Sequence, residues 1–103
     1  MTKSPASDAD VIDRLYEVIE SRRTSDPAAS YTARMFDKGL NKIAQKVGEE
    51  GVETALALVS GDRAALRGEA ADLLYHLVVA LRGAGASIGE ALAELDVRAQ
   101  AAR

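Results

Sequence analysis

Apolar residues recur at three- and four-residue spacing through most of the 103-residue chain, which predicts helices rather than strands. A first stripe, Val11, Ile12, Leu15, Val18 and Ile19, begins close behind Ser7 and Asp8, either of which suits an N-cap. Thr24 to Ser30 reads as a loop. Ser30 then suits the cap of a short helix over Tyr31–Phe36. That helix ends at Asp37-Lys38-Gly39 and is either separate from the next or joined to it by a kink at Gly39. A second long helix is expected from about Leu40 to Val59, burying Leu40, Ile43, Ala44, Val47, Val52, Ala55, Leu58 and Val59. A third is expected from Arg63 to Arg82, with Leu66, Ala70, Leu73, Leu74, Leu77, Val78 and Leu81 as a wide apolar arc. Gly83-Ala84-Gly85 ends it, and Ser87-Ile-Gly-Glu90 is a capping box that opens a last helix on Ile88, Ala91, Leu92 and Leu95. The pattern describes one all-α domain over residues 8–98, after a disordered segment 1–7 and before a frayed tail 99–103.

Between the two longest helices the turn signal is Ser60-Gly61-Asp62. Gly61 suits a helix C′ position and Asp62 the next N-cap. Two carboxylate pairs flank this turn, Glu50-x-x-Glu53 and Glu69-x-x-Asp72, and residues three apart share a helix face. Glu53 and Glu69 each lie eight residues from Gly61; Glu50 and Asp72 each lie eleven from it. An antiparallel hairpin therefore sets both pairs at one height, roughly 12 to 16 Å from the turn. Four carboxylates at one level repel, and a hard cation such as Mg²⁺ removes that repulsion. Gly48 and Gly51, beside the acids, suggest that something approaches the backbone there, another helix being the simplest candidate.

Composition narrows the class. Hydrophobic residues make up 48%, only four residues are aromatic, and both prolines precede residue 28. The net charge of −3 argues against nucleic acid as a partner. With no cysteine there is neither a disulfide framework nor a thiolate metal site. No apolar run has transmembrane length and no signal-peptide core is present, so a soluble cytoplasmic protein without membrane contact is expected.

Charge placement adds a second zone. Lys42, Lys46, Glu49, Glu50 and Glu53 share an arc of roughly 100° on one helix, with the lysines farther from the turn. Arg34 and Lys38 lie just upstream. His76 counts level with Lys46 and is either a satisfied core residue or part of this zone. Carboxylates beside cations suit a polyphosphate bound through Mg²⁺, although charged helix faces are ordinarily only solvated surface. A di-iron bundle would need Glu-x-x-His on two helices, and neither a P-loop nor a nucleophile elbow is present.

Glu50-x-x-Glu53, fifteen intervening residues and Glu69-x-x-Asp72 resemble the E-x-x-E…E-x-x-D metal signature of the MazG-like nucleoside triphosphate pyrophosphohydrolases. More narrowly, S-Y-T-A-R-M-F-D-K-G-L-N-K-I-A-Q-K-V-G-E-E-G-V-E and E-A-A-D-L-L-Y-H-L-V-V-A-L are similar to the phosphoribosyl-ATP pyrophosphohydrolase family of histidine biosynthesis. The likeness covers Leu15 to Leu95; Gly51 departs from it, where a small helix former such as alanine is expected. It implies an all-α MazG-like bundle, a helical hairpin completed by homodimerisation or higher assembly. It also implies Mg²⁺-dependent cleavage of phosphoribosyl-ATP to phosphoribosyl-AMP and pyrophosphate. Under it Glu50, Glu53, Glu69 and Asp72 hold metal, Lys42, Lys46, Arg34 and Lys38 bind phosphate, and Glu49 or an incompletely engaged ligand accepts the water's proton. A cyclohydrolase acting on phosphoribosyl-AMP is the implied pathway neighbour. The competing readings are a housecleaning nucleotide pyrophosphohydrolase and a helical dimerisation module without catalysis.

Overall fold

A computed structural model describes residues 7–102. It contains five helices and, among the described residues, no strand: α1 Asp8–Arg22, α2 Tyr31–Lys38, α3 Leu40–Ser60, α4 Arg63–Gly83 and α5 Ile88–Ala101. The expected disorder of residues 1–6 lies outside the described residues. Ser7, counted in that segment, instead caps α1 in a reciprocal box with Asp10. Of the tail expected to fray, residues 99–101 form the last turn of α5.

The local signals act as their chemistry dictates. Ser30 accepts from the Ala33 N–H at the start of α2, and the Ser87 and Glu90 box opens α5. Gly39 separates α2 from α3 with φ 91°, a left-handed-side conformation that a Cβ disfavours, so the two helices are distinct rather than kinked. Gly61 takes φ 78° and Asp62 caps α4 through the Ala65 N–H, which folds α3 and α4 into the expected antiparallel hairpin. This hairpin is the most extensive packing in the molecule; α1 and α2 lie across its open end and α5 touches mainly α4.

The core is small. Ile19, Met35, Ile43, Val78 and Val79 form it, with Leu15, Tyr16, Phe36, Tyr75, Ala80 and Ile88 packed around them. Gly83 lets Leu40 approach, since a Cβ there would stand 3.2 Å from Leu40 Cδ2. Much of the predicted core lies elsewhere. Val52, Leu58 and Val59 on α3, Leu74 on α4 and Leu95 on α5 are exposed, Val59 to 81%. Val11, Val18, Leu40 and Leu92 are exposed as well. The cause is geometric: a helix with apolar residues on opposite sides buries only the side that meets a neighbour. The close approach expected at Gly48 and Gly51 is also absent among the described residues, because a Cβ at either would meet open space.

Ile43, only 2% exposed, touches the centre of this core. Ile43→Ala should therefore destabilise by about 2 to 5 kcal/mol. Denaturant unfolding measures this, and a change within error would show that the core is placed wrongly.

Candidate active site at the acidic level of the hairpin

Glu50 points inward from α3, between α3 and α4, and is 7% exposed. Across from it on α4 stand Glu69, half-buried, and Asp72, exposed. One carboxylate oxygen from each of these three lies within 4.8 Å of the others. Glu53, exposed on the next turn of α3, faces Glu69. Glu50 Oε2 and Glu69 Oε2 are buried and have no hydrogen-bond partner among the described residues. Buried acceptors without donors are costly. An all-oxygen set with orphaned buried oxygens fits a hard cation, so the cluster can hold a metal ion.

Crowding raises the Glu69 pKa from 4.5 to about 7; the adjoining Glu53 carboxyl is the largest cause, followed by desolvation and then the charge of Glu53 and Glu50. The neighbouring carboxylates resist the ionisation of Glu69.

The cationic residues are arranged less simply than the spacing implied. Lys46 Nζ stands 3.4 Å from Glu49 Oε2, so its partner is Glu49 and not Glu50. Hydrogen bonds from Gln45, at 2.7 Å, and from Lys46 keep the Glu49 carboxyl below the usual glutamate range. Glu49 itself is exposed, on the outer side of α3 next to Glu50. Lys42 is half-buried one turn before Lys46 and contributes to lowering Glu49. Arg34 donates to the Pro27 carbonyl at 2.9 Å and lies over the Tyr31 ring, 5.8 Å from its centroid. Lys38, exposed in the last turn of α2, makes no ion pair among the described residues.

His76 is not part of a basic surface. It is 5% exposed, with Tyr31 Oη 2.7 Å from Nε2, the Asp72 carbonyl 2.9 Å from Nδ1 and Glu50 Oε1 3.8 Å from Nδ1. Tyr31 and Tyr75, which the sequence reading left without roles, stand edge-on to its ring at 5.8 and 5.1 Å between centroids. Thr32 and Tyr75 add a second side-chain hydrogen bond between α2 and α4. The tyrosines were visible only as single letters in S-Y-T and Y-H; helical spacing carries no signal for contacts between helices far apart in the chain.

The family model described as phosphoribosyl-ATP pyrophosphohydrolase matches residues 12–99. The chain belongs to this family. Within the phosphoribosyl-ATP pyrophosphohydrolase family, it is 54% identical over 87 residues to a phosphoribosyl-ATP pyrophosphatase of Rhizorhabdus wittichii, covering 84% of this chain and 82% of that one. A protein of the same name from Azospirillum brasilense is 53% identical over 91 residues, 85% of this chain and 82% of the relative. A histidine biosynthesis bifunctional protein HisIE of Xanthomonas axonopodis pv. citri is 49% identical over 96 residues, 93% of this chain but 47% of the relative. All four carboxylates lie inside the region that the phosphoribosyl-ATP pyrophosphohydrolase model matches.

The raised Glu69 pKa has a stability consequence. Between the ordinary value of 4.5 and about 7 the folded chain binds a proton that the unfolded chain releases. In chelator, the thermal midpoint should therefore receive a contribution from Glu69 that is present at low pH and lost as pH rises toward 7. Glu53→Gln removes the largest cause, so above pH 7 its midpoint should equal or exceed that of the native chain, and the slope should flatten. Thermal melts across pH in chelator check this; a Glu53→Gln chain that melts lower and keeps the native slope would refute the crowding.

Proposed function

We propose that this chain hydrolyses phosphoribosyl-ATP between its α and β phosphates, giving phosphoribosyl-AMP and pyrophosphate, with Mg²⁺ held by Glu50, Glu53, Glu69 and Asp72. The observation that carries the reading is the family match across the very segment in which the fold converges these acids. Mg²⁺, when bound, supplies neutralisation of triphosphate charge and Lewis-acid polarisation of the reacting phosphate. The chain's residues do the rest. Glu50 and Glu69 offer the two orphaned buried oxygens, and Glu53 and Asp72 complete the oxygen set at the solvent side.

Lys42 and Lys46, with Arg34 and Lys38 from α2, are the proposed contacts for phosphate oxygens and for the departing pyrophosphate. Lys46 has to leave Glu49 to reach a phosphate. That exchange would free the Glu49 carboxylate, which then suits proton acceptance from the attacking water. A soluble, cytoplasmic enzyme accords with the finding that no helix among the described residues is long and apolar enough to cross a membrane. The bifunctional relative supports a pathway link to the cyclohydrolase that consumes phosphoribosyl-AMP.

Pyrophosphate release from phosphoribosyl-ATP, compared with a panel of nucleoside triphosphates, tests the assignment. Preference for phosphoribosyl-ATP is expected. Equal turnover of the panel would favour a housecleaning enzyme, and no turnover of any a module without catalysis. In the same assay Lys46→Ala should lose at least about tenfold in kcat/KM, the size of one charge-assisted phosphate contact. Native kinetics in that variant would remove Lys46 from the site.

A homodimer is the second part of the proposal. Gly48, Val52, Leu56 and Val59 form one stripe on the side of α3 away from Ile43 and Glu50, and its three apolar side chains are 62%, 62% and 81% exposed. The open space at Gly48 admits a neighbouring backbone. A second copy can cover such a stripe isologously. Sedimentation should find the native chain dimeric or larger and Val52→Asp shifted toward monomer. A monomeric native chain at micromolar concentration would end this part.

A further inference from the structure

The cations assigned to phosphate stand at different distances from the acids. Lys46 and Lys42 lie about 6 and 12 Å before Glu50 along the axis of α3. Lys38 ends α2 just before Leu40, the first residue of α3, which is about 15 Å from Glu50 by the same rise. α2 sets a second row beside the first. At about 100° per residue, Tyr31, Arg34 and Lys38 share an arc of roughly 60° on α2. Thr32, Ala33 and Met35, outside that arc, are buried. Phe36 and Asp37 are also off the arc and line a cavity with Arg23 and Leu40.

One end of the α2 row is anchored at the acidic level. The Asp72 carbonyl accepts from His76 Nδ1 at 2.9 Å, so Nε2 accepts from Tyr31 Oη at 2.7 Å. The Tyr31 phenol is close enough to Lys46 and Glu50 for the charge of each to act on it. Lys38, at the other end, lies about 10 Å farther along α2. Contacts inside the chain then sort the four cations. Lys46 pairs with Glu49 at 3.4 Å, and Lys42 adds to the field that lowers the Glu49 pKa. Arg34 donates to the Pro27 carbonyl and lies over the Tyr31 ring. Lys38 is exposed and in no ion pair among the described residues, although Asp37 is its neighbour.

Phosphoribosyl-ATP is anionic at both ends, a triphosphate at one and a phosphate monoester at the other. A ribose, a purine and a second ribose separate them. Metal at the carboxylates, with Lys46 one turn away, accounts for the triphosphate. The far phosphate cannot share that level and needs a cation of its own. We propose that Lys38 binds this far phosphate and so makes the site prefer phosphoribosyl-ATP to nucleotides that carry a triphosphate alone. The Tyr31 ring, 39% exposed, stands on the path between the two ends. The proposal rests on the phosphoribosyl-ATP reading above and gives one of its cations to one end of that substrate. A lysine in the last turn of a helix also complements the helix dipole. That role alone predicts a small change in melting and the same kinetics for every nucleotide.

Pyrophosphate release by the full chain with Mg²⁺, with phosphoribosyl-ATP as substrate and ATP as competitor, tests the proposal. Lys38→Gln should raise KM for phosphoribosyl-ATP at least about tenfold, the loss of one charge-assisted contact, with kcat changed far less because the far phosphate does not react. The inhibition constant of ATP, which has no far phosphate, should stay within about twofold of its native value. Lys38→Arg keeps the charge and should return KM to within about threefold of native. Equal weakening of substrate and ATP by Lys38→Gln would put Lys38 on the triphosphate and overturn the proposal. Native kinetics in Lys38→Gln, beside normal turnover by the native chain, would overturn it as well and leave the phosphoribosyl-ATP reading standing. No turnover by the native chain would overturn that reading and this proposal with it.

Discussion

The α3–α4 reversal is the constraint on which the rest of the molecule depends. One residue in a left-handed conformation, Gly61, and one capping carboxylate, Asp62, turn the chain so sharply that α3 and α4 must lie side by side. Equal spacing of the acids from that turn then forces Glu50, Glu69 and Asp72 together, with Glu53 against Glu69. Nothing about the individual residues favours this crowding. It is held by packing farther along the hairpin, where Ile43 meets Val78 and Val79. The repulsion is visible in Glu69, whose pKa stands near 7, and in two buried oxygens without donors. A fold that holds like charges at one level stores the free energy that a cation recovers on binding.

The supporting helices do more than cover the hairpin. α2 has only eight residues and could not persist alone. It is held by Met35 in the core, by the hydrogen bond between Thr32 and Tyr75 and by Tyr31 on His76. Through these contacts a short helix carrying Arg34 and Lys38 is fixed against the helices that carry the acids. The outer side of α3 is the opposite case. Its apolar stripe has no partner among the described residues, and it is the surface on which the proposed second copy would sit.

Local chemistry was legible in the sequence because it depends on neighbours in the chain. The caps at Ser30, Asp62 and Ser87, the left-handed Gly61 and the extents of α3 and α4 all follow from such short-range rules. So did the convergence of Glu50, Glu69 and Asp72, since a hairpin of known turn position makes counting sufficient. The family resemblance was legible for the same reason: its motifs are contiguous.

What only the tertiary structure decided involves choices between faces and between partners. Val52 and Leu74 satisfy helical periodicity as well as Ile43 does, yet they stay exposed because none of the five described helices covers them. Lys46 sits within reach of both Glu49 and Glu50; burial of Glu50 beneath α2 and α4 leaves Glu49 as its partner. His76 stood level with Lys46 by counting, but its rotation about α4 places it inside, between Tyr31 and Glu50. Periodicity specifies height along a helix and the existence of an apolar side. Which side is covered, and what a buried polar group meets there, is settled by contacts among helices distant in sequence, which no local pattern encodes.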